Sequence, residues 1–194
     1  MTNSKALARE RLVSAAADMI SRRGLSAMSI RELAKHAKAP LGSTYHYFPG
    51  GKSQVASEAI RFAGNTVAQA LTEALEAGPV KGLRHFLGLW RDILIRSDFQ
   101  AGCPVLSVAT EEPAGEEGLA ALEIAAAVFD NWESLLRDSL QLHGARKAPA
   151  AKLATLILAS VEGSIAMCRA RRSIKPLDDI SSQLEFMIQL AISK

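Results

Sequence analysis

SIRELAKHAKAPLGSTYHYFPGGK, running from Ser29 to Lys52, holds two short helix signals, a turn and both tyrosines of the chain. Ser29 followed three residues later by Glu32 is a capping box: the serine hydroxyl accepts from the amide three residues on, and the glutamate reaches back to the Ser29 amide. A helix therefore starts here. Its apolar positions Ile30, Leu33, Ala34 and Ala37 recur at helical spacing, so one face packs on a core while Arg31, Lys35 and Lys38 face outward. Pro40 disfavours helical geometry at Ala39 and so separates this helix from a second, spanning roughly 41 to 48. That second helix carries Ser43, Thr44, Tyr45, His46 and Tyr47; Gly50 and Gly51 end it, and Lys52 opens a much longer helix. Two short helices joined by a tight turn, the first with a basic outer face, read as a helix-turn-helix.

Upstream, a helix over roughly 4 to 23 puts Leu7, Leu12, Ala15, Ala16, Met19 and Ile20 on one face and ends at Gly24, a natural residue just past a helix terminus. An amphipathic first helix, then SIRELAKHAKAPLGSTYHYF, then a lysine opening a long helix resembles the DNA-binding domain of the TetR family of transcriptional regulators, over roughly residues 5 to 60. Many members have one residue fewer before that lysine. The PGGK joint here, with GCPV at 102 to 105, resembles the LmrA/YxaF-like subgroup. The resemblance implies a helix-turn-helix domain over 1–51 and a helical effector-binding and dimerisation domain over 52–194. It implies a homodimer that binds double-stranded palindromic operator DNA as a repressor and is released by a small-molecule effector. It also implies DNA contacts from Tyr45, from Leu41, Gly42, Ser43 and Thr44 just before it, from Lys52 and from Arg31.

The chemistry of the second helix suits that work, because short polar side chains and aromatics can meet base edges and phosphates. Tyr45 and Tyr47 offer hydroxyls to phosphates, Thr44 offers a methyl to a thymine methyl, and His46 offers a neutral hydrogen-bonding ring. A domain this small needs Phe48 and one tyrosine for its core, so Tyr47 is expected to be the more buried of the two. Charge points the same way. The chain carries a formal +3, yet residues 1–52 hold nine Lys/Arg against three Asp/Glu, leaving +6 there and −3 in the remainder. Phosphate neutralisation needs such a basic module, and a mildly acidic partner module fits separate sensing.

Hydrophobic residues make up 48% of the chain, enough for a substantial core. No strand alternation appears, and every strong segment has helical periodicity, so the fold class is all-α. Helices are expected at roughly 52 to 77, 80 to 97, 104 to 111, 116 to 143, 149 to 171 and 178 to 193. The last two are apolar on more than one side, which fits either a central place in a large core or a four-helix dimer interface; Ile165 is taken as a residue of that interface. Phe62, Phe86, Trp90, Phe129 and Trp132, with Thr66, are candidates for lining an effector cavity, although aromatics on apolar faces are as often plain core. A largely apolar effector would suit them.

Cys103 and Cys168 are far apart, without a CxxC or a nearby histidine, so no metal and no cofactor is expected. The polar start MTNSKALARERL does not read as a signal peptide, and no apolar run is read as approaching a membrane span, so a cytoplasmic protein with no membrane partner is expected. A helical-bundle enzyme finds no support in the motifs: there is no ExxH pair, no nucleophile elbow, and Gly50-Gly51-Lys52 lacks P-loop spacing. A DNA-binding architectural protein without an effector is the remaining alternative, and it leaves the aromatics of the larger domain without a purpose.

Overall fold

The computed structural model describes residues 2–113 and 115–193. Among the described residues there are nine helices and no strand: α1 Thr2–Arg23, α2 Ile30–His36, α3 Leu41–Tyr47, α4 Gly51–Leu75, α5 Pro79–Arg96, α6 Pro104–Thr110, α7 Gly115–Leu142, α8 Lys147–Arg171 and α9 Lys175–Ile192. Helix starts differ most from the sequence reading where a proline looks like a break. Pro149 and Pro176 instead sit in the first turns of α8 and α9, where a missing N–H leaves no intrahelical bond unmade.

The chain forms two compact units, Met1–Asn65 with Cys103–Val128, and Thr66–Gly102 with Phe129–Lys194; two of the three boundaries fall inside helices, α4 and α7, and the third between α5 and α6. In the first unit α1 packs on α2 and on α6. Its core gathers Leu12, Ala16 and Ile20 of α1, Leu33 of α2, Phe48, Val55 and Ile60 of α4, and Val105 of α6, each no more than 2% exposed. At Gly64 the backbone of α4 lies so close to α7 that a Cβ would come within 2.6 Å of Val128 Cγ2, so only glycine fits.

In the second unit α8 packs on α9, and α5 packs on both. Arg84 Nε of α5 donates to Glu185 Oε1 of α9 at 2.7 Å, and Arg91 pairs with Asp178. Leu153, Ile157, Val161, Ile165 and Cys168 form the buried stripe of α8. A second stripe, Leu156, Ala159, Gly163, Met167 and Ala170, is exposed, as are Phe186, Met187 and Leu190 of α9. The two-sided apolar character of these helices is thus present, but Ile165 lies on the inner side at 1% exposure, which corrects its placement on the outer face.

The reading of the chain as lacking any span-length apolar run is also corrected. α8 has an 18-residue window of mean hydropathy 1.5, long and apolar enough to cross a membrane by length and composition. Lys152, Thr155, Ser160, Glu162 and Ser164 interrupt its apolar run, so no uninterrupted stretch reaches span length although the window as a whole is apolar. In the structure 44% of that window is buried inside the protein, and the helix carries the buried Glu162.

Candidate nucleic-acid interface

The turn that aims the reading helix is built at Lys38. Ser29 caps α2, its Oγ accepting from the Glu32 amide at 3.2 Å. Past the other end of α2, Lys38 adopts φ 51°, and the amides of Lys38 and Ala39 donate back to the carbonyls of Lys35 and Ala34 at 3.2 and 2.8 Å. This is a helix-closing motif that usually holds glycine. The sequence alone points to Pro40 for the turn and to Lys38 only as an outer-face cation. Pro40 instead caps α3 through its carbonyl, which accepts from the Thr44 amide at 3.1 Å and from Thr44 Oγ1 at 3.2 Å.

α3 has one wet face and one dry face. Leu41, Gly42, Ser43, Tyr45 and His46 are exposed, Tyr45 at 55%, and nothing lies within 4 Å of where a Gly42 Cβ would be. Tyr47 is half-buried, the more buried of the two tyrosines as expected, with its ring 5.9 Å from that of His46. Thr44 is 0% exposed. Buried in this way, with its hydroxyl turned back to the Pro40 carbonyl, it is not offered to a thymine, against expectation: on this helix of seven residues the inward position falls at 44. Arg31, Lys35 and Lys38 are exposed on and just after α2.

The longer PGGK joint has its own support. Gly51 takes φ 66°, which glycine accepts without strain, and its amide donates to the Phe48 carbonyl at 2.9 Å. Gln54 Oε1 accepts from the Gly50 amide at 2.9 Å, and its amide nitrogen donates to Glu58 at 3.0 Å. Glu58 in turn receives Arg9, whose guanidinium lies 5.3 Å from the Phe48 ring centroid. Lys52 is thereby set beside the α1–α2 turn, half-buried, its Nζ donating to the Ser26 carbonyl at 3.3 Å. Glu111, just past α6, grips the same turn: its two carboxylate oxygens accept from the amides of Leu25 and Ser26 at 2.6 and 2.8 Å. Asp18 accepts from both Arg22 and His36, at 2.8 and 2.9 Å, so part of the positive charge of the head is neutralised within it. Sequence reasoning missed Glu58 and Glu111 because each acts on residues distant along the chain, and Gln54 because its task is to join the Gly50 amide to Glu58.

The candidate effector residues fall into separate groups. Phe62 is half-buried and lines a cavity of about 350 Å3 in the first unit with Arg9, Val13, Glu58 and Arg61. Thr66 is exposed on α4. In the second unit Phe86 and Trp90 meet edge to face at 6.4 Å, and Phe129 and Trp132 at 5.6 Å. Phe86, Trp90 and Trp132 are at most 5% exposed. Cys103 is buried and caps α6, its Sγ accepting from the Leu106 amide at 3.5 Å. Burial pushes the Cys168 thiol above its usual range. Among the described residues no group of three or more His, Cys, Asp or Glu could hold a metal ion.

Comparison with known proteins converges on this architecture. Residues 12–59 match the family described as bacterial regulatory proteins, tetR family, and residues 79–183 match the C-terminal domain of LmrA/YxaF-like transcriptional regulators. An uncharacterised HTH-type transcriptional regulator of Mycobacterium tuberculosis is 38% identical over 183 residues, 93% of each chain. The HTH-type transcriptional regulator LmrA of Bacillus subtilis is 29% identical over 176 residues, 90% of this chain and 93% of that one. Among solved structures, regulatory protein TetR from Rhodobacter sphaeroides superposes with a TM-score of 0.81 at 25% identity, covering 93% of this chain and 98% of that one. The helix-turn-helix head, the helical remainder and these relatives together establish that the chain belongs to the TetR family of transcriptional regulators, in its LmrA/YxaF-like branch.

Proposed function

We propose that this regulator is a cytoplasmic homodimeric repressor that reads a palindromic operator through α3 and is released by a small, largely apolar effector. The observation that carries the reading is the wet face of α3: Leu41, Gly42, Ser43, Tyr45 and His46 all project from a head whose core holds Thr44 and Phe48 rigid beneath them. Arg31 and Lys52 flank that face and supply phosphate contacts, and Tyr47 lies at its edge. Functionally the division is at 51/52, with residues 1–51 reading DNA and 52–194 binding effector and partner. The exposed stripe of α8 with Phe186, Met187 and Leu190 of α9 is the dimer surface, because its alanines and glycine allow close helix approach while its large apolar residues gain by burial.

The effector reading draws on Phe62, Thr66, Phe86, Trp90, Phe129 and Trp132. Since Phe86, Trp90 and Trp132 are packed in the core, an effector that reaches them has to part the aromatic pairs, and its apparent affinity is reduced by the cost of that opening.

The test is binding to duplex DNA flanking the regulator's own gene, measured across salt concentrations. Affinity should fall steeply, with a log-log slope of about −0.9 per phosphate neutralised, and protection should appear as two half-sites separated by roughly 34 to 36 Å or a multiple of it. Binding that ignores salt, or a single unpaired half-site, would overturn the reading. For the effector arm, an inducer must bind more weakly to the operator complex than to free protein, by the factor by which it weakens operator binding.

A further inference from the structure

The GCPV stretch opens a short element whose far end reaches the reading head. Cys103, Pro104 and Val105 are buried, α6 runs from Pro104 to Thr110 against α1, and Glu111 follows immediately. Its carboxylate is seated on the α1–α2 turn with both oxygens engaged, by the Leu25 amide at 2.6 Å and the Ser26 amide at 2.8 Å. Gly24 makes room for it. That residue has φ +81°, and a Cβ there would stand 2.1 Å from Glu111 Oε1. A carboxylate that accepts two backbone amides in a cradle floored by glycine is a fixed and charge-assisted tie, not an incidental surface contact.

Ser26 is held twice. Its amide donates to Glu111, while its carbonyl accepts from Lys52 Nζ at 3.3 Å. The second tie is temporary if Lys52 reaches a phosphate, because the ammonium then leaves the carbonyl. Of the two side-chain ties on Ser26, only that from Glu111 would then remain, beside the turn's own backbone bonds from Gly24 to Ile20 and from Met28 to Leu25. We propose that Glu111 is a positioning residue for DNA reading: it keeps the α1–α2 turn, and with it the start of α2, in the DNA-competent arrangement when Lys52 moves to the duplex. This rests on the DNA-reading function proposed above. It gives α6 and the GCPV stretch a task, which is to hold one carboxylate at a fixed height over the turn.

The experiment compares full-length wild type with Glu111→Ala, Glu111→Gln and Gly24→Ala, using the duplex that flanks the regulator's own gene. Glu111→Ala should weaken binding about tenfold, the scale of a hydrogen bond to a charged group. Glu111→Gln, whose amide oxygen keeps one acceptor, should fall between it and wild type. In the free protein the Lys52 tie persists, so the thermal midpoint of Glu111→Ala should stay close to wild type, while its amide exchange should accelerate at Leu25 and Ser26. Gly24→Ala displaces the carboxylate from the opposite side, and its loss of affinity should be smaller in the Glu111→Ala background than in wild type. Wild-type affinity in Glu111→Ala, with unchanged exchange at residues 25 and 26, overturns the proposal while the DNA-reading function stands. Equal losses from Gly24→Ala in both backgrounds overturn it as well. A wild type that binds no duplex overturns the functional reading instead, and the coupling with it.

Discussion

Lys52, Tyr45 and Thr44 lie within nine residues of one another and are held in three different ways, so their removal should have three different effects. Lys52→Ala should weaken binding to every duplex about equally and make the salt slope shallower by about 0.9, since it deletes one phosphate contact. Thr44→Ala removes a buried methyl and hydroxyl from a site with no exposed surface. It should cost about 1 to 2 kcal/mol in urea unfolding, and any loss of DNA affinity should be the same for all sequences. A Thr44→Ala protein of wild-type stability with altered base preference would return that residue to the reading surface. Tyr45, 55% exposed, is the residue whose replacement should change operator affinity without changing stability. From the sequence Thr44 and Tyr45 look alike, as polar neighbours on one short helix; burial separates them, and a seven-residue helix carries too few turns for periodicity to tell its inner face from its outer one.

At the scale of elements, the helices themselves were legible, and what closes or couples them was less so. Ser29 announced α2 and did cap it. Lys38 gave no sign of its left-handed backbone, because the residue usually found there is glycine. A non-glycine residue at such φ costs about 1 to 2 kcal/mol, partly offset by the smaller entropy that lysine loses on folding. Lys38→Gly should therefore stabilise the protein by about 0.5 to 1 kcal/mol, visible as a higher urea midpoint at unchanged slope; a lower midpoint would show that the lysine side chain contributes more than its backbone loses. The tie from Glu111 to Leu25 and Ser26 was invisible for another reason, since it joins residues 86 and 85 positions apart and depends on α6 packing against α1. In α8 the sequence disclosed two apolar stripes but not which one faces inward. The structure puts Ile165 inside and Met167 outside. Met167→Glu should give a folded monomer in sedimentation, whereas Ile165→Asp should unfold the chain, because an unpaired charge in the core is costly. A Met167→Glu protein that still sediments as a dimer would move the interface elsewhere.

For the whole molecule, stability in acid offers a check on the second unit. Hydrogen bonding from the Arg84 guanidinium holds the Glu185 carboxyl below its usual range. A depressed carboxylate contributes stability above its unfolded value, near 4.3, and loses it as pH falls through the folded value. Wild type should therefore melt above Glu185→Gln by a steady margin at neutral pH, and the margin should close below about pH 4.3. Arg84 is more than half exposed, so the margin should be small; a gap that widens in acid would mean that the pair is not formed in solution. The uncovered stripe of α8 reaches further, into gene dosage. If a second copy covers it, as proposed above, the number of readers in a cell depends on encounters between chains and not on chains alone. Where chains are scarcer than the dimer dissociation constant, dimers rise as the square of their concentration, so halving synthesis would cut the pool of operator-binding dimers about fourfold. A promoter under such a protein would respond to modest changes in its expression more steeply than one served by a monomer, even before an effector is present.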